Sequence, residues 1–222
     1  MKKLIIFDID GTTLDTMETI TFHINKALEK YGIEPVDTSY TSSILGYSSV
    51  YLMEKVLEYR GVEYDQDKFK EILDTYHNSY QSQVTHLTKP YEGIIQALKD
   101  LREMGYILVA LSNKPEHTLS VLFEEMDLYK YFDFVRGQVD EDPRKPDPYM
   151  VNLILDKYSV DKEDAILIGD TEVDYETARN SQMDFIAVSW GFRSKKQLEE
   201  LNPSHIVDDV KEMMALIKEG LQ

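Results

Sequence analysis

Two aspartates separated by one residue follow a short apolar run near the start of the chain. The run over residues 4–7 reads as a buried strand, and it is followed by Asp8, Asp10 and a Gly11-Thr12 pair. Residues i and i+2 of a strand point to the same side, so the two carboxylates can converge beyond its end. Such carboxylates repel each other unless a cation lies between them, and Mg²⁺ prefers oxygen ligands. The stretch therefore predicts a magnesium site, with a strand ending in an acidic turn as the alternative.

Three further segments place polar side chains at or just after the ends of predicted strands. They are Ser112-Asn113, Lys145-Pro146 and residues 169–174. Each has an ordinary structural explanation, because Ser112 or Asp170 could cap the following helix and Lys145 could be a surface lysine. In open α/β sheets, however, ligands bind beyond the carboxyl ends of the strands. There, the four segments would supply a metal cradle, a hydroxyl, one positive charge and a further carboxylate pair.

The second part of the chain alternates between helical and strand patterns. The strands are predicted over residues 106–111, 134–136, 165–168 and 185–188, with a short one near 206–207. The helices are predicted over about 93–104, 115–127 (with Pro115 at the first helical position), up to 158, 172–181 and 209–219. This alternation predicts an α/β fold, a Rossmann-like parallel sheet with helices on both faces.

The stretch between the first strand and this alternating part is helical in type. Apolar residues recur at helical spacing over about 17–31, 48–60 and 66–83, with Gly32 and Gly61 as stop signals for the first two. No strand pattern interrupts it. We therefore predict an α/β core made of residues 1–15 and 88–222, and an all-helical cap of residues 16–87 inserted after the first strand.

Composition limits the kinds of partner. The chain has 222 residues, no cysteine and a formal net charge of −17. Non-specific nucleic-acid binding requires a basic surface, so that class is excluded. No apolar run is long enough to span a bilayer and no signal segment is recognisable, so we expect a cytoplasmic protein without membrane contact. We also expect a monomer or homodimer. An anionic substrate would need a locally positive site within this acidic molecule.

In this order, the four segments closely resemble the motifs of the haloacid dehalogenase-like hydrolase superfamily, in particular its phosphoglycolate phosphatase-like branch. The motifs are Asp8-Ile9-Asp10-Gly11-Thr12, then Ser112 before Asn113-Lys114, then Lys145-Pro146, then Gly169-Asp170-Thr171-Glu172-Val173-Asp174. The resemblance covers essentially the whole chain, including the helical cap. One departure is Thr13, where close relatives usually carry Leu, and we expect it to affect packing more than chemistry.

The resemblance implies a Mg²⁺-dependent phosphatase that acts on a small phosphorylated metabolite. Asp8 would attack phosphorus and form an aspartyl-phosphate, while Asp10 would act as general acid and then as general base. Lys145 would stabilise developing charge, and Ser112 with the N–H of Asn113 would bind phosphoryl oxygens. The implied metal ligands are Asp8, the main-chain carbonyl of Asp10, and Asp170, supported by Asp174 through water.

The resemblance also implies that the cap closes over the site and that a loop at residues 45–48, containing Gly46, contacts the substrate. A plain turn between two helices is the alternative for that loop. Two other functions remain open: a phosphomutase similar to β-phosphoglucomutase, and a binding protein without turnover. The mutase uses a hinge histidine where this chain has Ile20, and His23 lies one helical turn further on. The intact motifs argue against the binding protein.

Overall fold

The central sheet is parallel and six-stranded in the computed structural model, which describes residues 3–220. Its strands, in chain order, are β1 (Leu4–Phe7), β4 (Ile107–Pro115), β5 (Phe134–Gln138), β6 (Ala165–Gly169), β7 (Asp184–Val188) and β8 (His205–Val207). Their order across the sheet is β5-β4-β1-β6-β7-β8. A separate two-stranded antiparallel ribbon joins β2 (Leu14–Asp15) to β3 (Lys89–Pro90). The predicted α/β fold class is confirmed. Four assigned core residues, 1, 2, 221 and 222, lie outside the described part.

The register of the sheet fixes where the chemistry can collect. Phe7, the last residue of β1, lies beside Ala110 of β4 and Ile168 of β6. The segments that leave these three strands therefore emerge next to one another at the carboxyl edge. β1 can occupy this central place because its four residues are apolar and fully buried, as a strand covered on both faces requires.

Six helices cover the two faces of the sheet. They are α5 (Ile94–Glu103), α6 (Glu116–Glu125), α7 (Tyr149–Tyr158), α8 (Glu172–Asn180), α9 (Lys195–Leu201) and α10 (Val210–Glu219). Side chains of α5, α6 and α10 pack with Ile5 and Phe7 on one face. Side chains of α7, α8 and α9 pack with Leu4 and Ile6 on the other. Alternate residues of β1 thus serve opposite faces, as the strand geometry requires.

Four helices lie between β2 and β3. They are α1 (Met17–Lys30), α2 (Thr38–Ile44), α3 (Ser49–Tyr59) and α4 (Gln66–Ser82). Their buried side chains, Ile24 and Ile72 among them, belong to the same hydrophobic cluster as Ile5 and Phe7 of the sheet. The helices are therefore packed onto the α/β part rather than standing apart from it. No helix within residues 3–220 combines the length and the apolar character that crossing a membrane requires.

The structure corrects several sequence-based boundaries. Helices α2 and α9, each of seven residues, were not predicted, because both are short and largely polar, although Asp37 caps the first and Ser194 with Gln197 forms a capping box at the start of the second. β4 was expected to end at Leu111, but it continues to Pro115, where pairing with β5 resumes after a register shift. Pro115 consequently precedes α6 in an extended conformation (ψ 134°) and is not its first helical residue.

Candidate active site

Three buried carboxylates converge at the carboxyl edge of the sheet. Asp8 follows β1, Asp170 follows β6, and Asp174 lies in the first turn of α8. One oxygen of each lies within 4.8 Å of the others. Asp174 is oriented by Thr171, whose main-chain N–H and hydroxyl donate to its Oδ2 at 3.1 and 2.8 Å. An all-oxygen donor set with excess negative charge is the kind that hard divalent cations such as Mg²⁺ prefer.

Asp170 is fixed on two sides. Its Oδ1 accepts from the Thr12 hydroxyl at 3.0 Å, and its Oδ2 accepts from the main-chain N–H of Phe192 at 2.6 Å. Gly11 passes so close that a Cβ there would lie 2.3 Å from Asp170 Oδ2, and its φ of +91° also favours glycine. Burial, and then the charges of Asp8 and Asp174, raise the pKa of Asp170 well above its ordinary value. A bound cation would relieve this crowding of charge.

Lys145 supplies positive charge inside the cluster. Its ammonium lies 2.6 Å from Asp8 Oδ1 and 2.6 Å from Asp174 Oδ1, and its side chain is 5% exposed. Although burial opposes its charge, the carboxylates of Asp174 and Asp8 raise the pKa of Lys145, so it is cationic. Burial raises the pKa of Asp8 to about 7, while the charge of Lys145 opposes that shift. One lysine thus offsets only part of the negative charge of three carboxylates.

Asn113 connects three segments of the site. Its side-chain amide donates to the main-chain oxygen of Lys145 at 3.0 Å, and its Oδ1 accepts from the Lys145 N–H at 3.0 Å. The same amide donates to the Gly46 oxygen of the α2–α3 loop at 3.1 Å. Ser112 is buried beside it and accepts from the N–H of Lys114. The second predicted motif is therefore tied to both the lysine loop and the helical insertion.

A cavity of about 80 Å³ lies between the sheet edge and the inserted helices. Seven of the predicted site residues line it: Asp8, Asp10, Gly46, Ser112, Asn113, Lys145 and Asp174. The eighth, Asp170, lies beside Asp8 in the carboxylate cluster. Tyr47, Ser48 and Ser49 are among the residues that line it on the helical side. The structure thus brings together all the residues that the sequence singled out, around a space suited to a small ligand.

Lys114 is a site residue that the sequence analysis did not single out. Its ammonium is 3.1 Å from Asp10 Oδ2, 3.1 Å from the hydroxyl of Tyr80 and 4.5 Å from the centre of the Tyr80 ring. Its position directly after Ser112-Asn113 was a partial signal. The partner Tyr80 could not be foreseen, because it lies on α4 and approaches only when the helices dock.

Arg193 is a second contact that the sequence did not reveal. Its guanidinium forms a bidentate pair with Glu172 at 2.7 Å for both contacts, and donates to the main-chain oxygens of Leu45, at 2.9 Å, and Ser42. The Ser42 hydroxyl in turn donates to the Phe192 oxygen at 2.6 Å. The C-terminal end of α2 is therefore bound to the segment that follows β7, immediately above the carboxylate cluster.

Two other expectations can be placed in the structure. Thr13 does more than pack, since its hydroxyl donates to the main-chain oxygen of Asp8 at 2.8 Å.

Ile20 lines the cavity, whereas the ring nitrogens of His23 face the Ser79 hydroxyl and the Gln83 oxygen. Burial lowers the pKa of His23 to about 4, so its ring is neutral near pH 7. The position of a mutase hinge histidine thus carries an apolar side chain.

The sequence as a whole matches a family model for haloacid dehalogenase-like hydrolases over residues 5–188. The chain belongs to this family. It is 29% identical to a phosphoglycolate phosphatase of Aquifex aeolicus, over 95% of this chain and 96% of the relative. A crystal structure from Lactobacillus delbrueckii subsp. bulgaricus, provisionally named a phosphoglycolate phosphatase, is 32% identical. It superimposes with a TM-score of 0.91, covering 98% of this chain and 99% of the other.

A third similar structure, from Clostridium acetobutylicum, is provisionally named a phosphatase. It is 27% identical to this chain, with a TM-score of 0.85 and 99% coverage of both chains. These findings confirm the family resemblance that the four motifs indicated. Family membership and the names of the relatives together support a phosphatase.

Proposed function

We propose that this protein is a Mg²⁺-dependent phosphatase for a small phosphorylated metabolite similar to phosphoglycolate, and that it acts through an aspartyl-phosphate on Asp8. The observation that carries the proposal is the position of the Asp8 carboxylate. Its Oδ1 lies 2.6 Å from the Lys145 ammonium, one of its oxygens lies within 4.8 Å of an oxygen of Asp170 and of Asp174, and it lines the cavity. A nucleophile, a fixed positive charge and a set of metal ligands are thereby combined at one point.

The metal site follows from the donor atoms. Asp8, Asp170 and the main-chain carbonyl of Asp10 would hold Mg²⁺, with Asp174 in support. When bound, the ion neutralises negative charge between the nucleophile and the phosphate. The convergence of three buried carboxylates and the all-oxygen environment both favour a cation at this place.

Asp8 attacks phosphorus, and the bond from phosphorus to the ester oxygen breaks. Asp10 gives a proton to the leaving oxygen and then takes one from the water that attacks the aspartyl-phosphate. Inorganic phosphate leaves and Asp8 is regenerated. Asp10 lines the cavity, and its buried Oδ1 has no hydrogen-bond partner within residues 3–220.

Three further groups bind the phosphoryl oxygens. The Ser112 hydroxyl and the main-chain N–H of Asn113 donate to them, and Lys145 stabilises the charge that develops during transfer. The cap, residues 16–87, covers the core, residues 1–15 and 88–222, and shields the transfer from bulk water. Gly46 contributes to substrate binding through the loop that Asn113 holds. A cytoplasmic location and a monomeric or homodimeric state belong to the same proposal.

Phosphate release from a panel of phosphomonoesters that includes phosphoglycolate tests this function. We expect turnover with Mg²⁺ and none after chelation. Asp8→Asn should reduce turnover to background, because the amide offers no anionic oxygen for attack. Asp15→Asn, which removes the same charge from the nearby β2–β3 ribbon, serves as the matched control and should remain active. Full activity in chelator, or substantial activity of Asp8→Asn that is free of deamidation, would contradict the proposal.

A further inference from the structure

The two sides of the cavity differ in charge. Among the described residues that line it, every charged one belongs to the α/β part, and these are Asp8, Asp10, Asp174, Lys114 and Lys145. The helical segment between β2 and β3 lines the cavity with apolar side chains, Gly46 and neutral hydroxyl groups. Burying a charge without compensation is costly, and these helices offer none. The helical side of the cavity therefore favours an uncharged part of a ligand.

Tyr76 of α4 carries a buried hydroxyl group that has no hydrogen-bond partner within residues 3–220. The residue is 6% exposed and lines the cavity. By contrast, the hydroxyl of Tyr80, one helical turn further along α4, accepts from the Lys114 ammonium at 3.1 Å. Burial raises the pKa of Tyr76, so its hydroxyl keeps the proton and is a donor at neutral pH. Most buried polar groups have a partner, so an unpaired donor beside a cavity indicates a ligand that accepts from it.

The position of Tyr76 in α4 defines the part of a substrate that it can reach. Tyr76 and Tyr80 are four residues apart and share one face of the helix, with 5.9 Å between their ring centres. Tyr80 contacts Lys114, whose ammonium is 3.1 Å from Asp10 Oδ2. Under the proposed mechanism, Asp10 gives a proton to the ester oxygen. The leaving group is attached to that oxygen, so it extends from Asp10 toward this face of α4.

A second hydroxyl group belongs to the same side of the cavity. Ser49, the first residue of α3, lines the cavity, and its Oγ lies 2.8 Å from Nε2 of His77, the residue next to Tyr76. Burial lowers the pKa of His77, so its ring is neutral near pH 7. This hydrogen bond joins the start of α3 to α4 and holds the serine near Tyr76. Two neutral hydroxyl groups are thus available on the helical side.

We propose that Tyr76 is a specificity-determining residue that donates to a neutral hydroxyl group of the leaving alcohol, in a subsite that Ser49 also lines. This inference rests on the proposed phosphatase function and deepens it. The chemical class of substrate is the phosphate monoester of a small diol or polyol. An alcohol hydroxyl can accept from the tyrosine and still exchange a second hydrogen bond with the serine. The charged groups of the α/β part then serve the phosphoryl group and the metal.

Two substrates of nearly equal size test the subsite. 2-Hydroxyethyl phosphate carries a terminal hydroxyl group where propyl phosphate carries a methyl group, and it has the same two-carbon skeleton as phosphoglycolate. We expect kcat/KM of the wild-type protein to favour 2-hydroxyethyl phosphate. Tyr76→Phe removes only the hydroxyl group of the side chain. The preference should therefore fall about 5-fold in this variant, the effect of one neutral hydrogen bond.

Tyr64→Phe is the matched control. It removes a hydroxyl group from the same helical segment, but Tyr64 is 40% exposed and is not among the described residues that line the cavity. This variant should keep the preference of the wild type. Thermal unfolding without substrate gives a second readout. Because the Tyr76 hydroxyl has no partner within residues 3–220, Tyr76→Phe should not lower Tm, whereas a structural role would lower it.

Three results would overturn the inference and leave the phosphatase function standing. The first is equal kcat/KM of the wild-type protein for the two substrates. The second is an unchanged preference in Tyr76→Phe. The third is an equal loss for both substrates in Tyr76→Phe together with a lowered Tm, which would assign the hydroxyl to the fold. Failure of the wild-type protein to hydrolyse any phosphomonoester would overturn the proposed function, and this inference with it.

Discussion

Lys145 is the residue on which the charge balance of the carboxylate cluster depends. Its ammonium donates to both Asp8 and Asp174 at 2.6 Å, and its main chain is held at N–H and C=O by the single side chain of Asn113. The main chain of Lys145 is therefore held by an amide side chain, and its ammonium is held independently by two carboxylates. Such preorganised charge stabilises a transition state without reorganisation during the reaction.

Lys145→Ala should consequently lower kcat by roughly 10²–10³-fold, the loss typical of a missing preorganised donor. The physical reason is that Asp8 and Asp174 would face each other, and the incoming phosphate, without compensation. Lys99→Ala, at an exposed position of α5, is a control for the loss of one lysine. Steady-state phosphate release with saturating Mg²⁺ measures both variants. A kcat within a few-fold of the wild-type value would refute the role given to Lys145.

At the scale of secondary-structure elements, one contact holds the roof of the cavity, by which we mean residues 42–49 at the end of α2 and the start of α3. It is the contact between α2 and the segment after β7. Arg193 is buried, pairs with Glu172 at the start of α8 and donates to two carbonyls at the end of α2. Carbonyls at a helix C-terminus have no partner within the helix, and cations there are favourable. Arg193 thus connects the roof to the same helix that carries Asp174.

Arg193→Met should loosen this contact, because methionine keeps the apolar stem but cannot donate to the carbonyls. We expect faster hydrogen exchange in α2 and a raised KM, with the exchange of β1 and β6 unchanged. Hydrogen–deuterium exchange measured by mass spectrometry resolves these elements. Arg136→Met is the matched control, since Arg136 of β5 also forms a partly buried ion pair, with Asp142. Unchanged exchange in α2 would show that Arg193 does not hold the roof.

The part of the site that could be predicted consists of residues that lie at or just after the ends of individual strands. Asp8, Ser112 and Asp170 could be brought together because parallel strands end at a common edge, and their strands are apolar runs that leave little ambiguity. Lys114 and Arg193 could not be assigned, since their partners Tyr80 and Leu45 come from helices whose docking depends on packing across the molecule. No local pattern encodes that packing, and the seven-residue helix α2 itself gave too weak a signal.

At the scale of the whole molecule, the net charge of −17 opposes the arrival of a phosphorylated substrate. The positive groups of the site, Lys114 and Lys145, are buried, so the field at long range is that of the net negative charge. Salt shortens the range of such repulsion from roughly 30 Å at 0.01 M to about 8 Å at 0.15 M. Encounter and binding of the anion should therefore become easier as salt is added.

We expect kcat/KM for phosphoglycolate to rise as the ionic strength increases from about 0.01 to about 0.15 M, while kcat stays nearly constant. The measurement holds free Mg²⁺ fixed and varies potassium chloride. A parallel series with Lys89→Met separates the field of the whole molecule from that of one exposed lysine in the β2–β3 ribbon. A fall of kcat/KM with salt would mean that the local field of the two buried lysines outweighs the global charge.

The way in which the roof is attached bears on how the ligand selectivity of the site can change during evolution. Leu45 and Gly46 are bound to the rest of the protein through their carbonyl oxygens, and Ser42 is bound through its carbonyl oxygen and its hydroxyl. The neighbouring side chains of Tyr47, Ser48 and Ser49 line the cavity. Mutations at these three positions alter the inner surface offered to a ligand and remove no acceptor that fastens the roof. Selectivity can therefore diverge among descendants of one ancestor while they all inherit the same attachment.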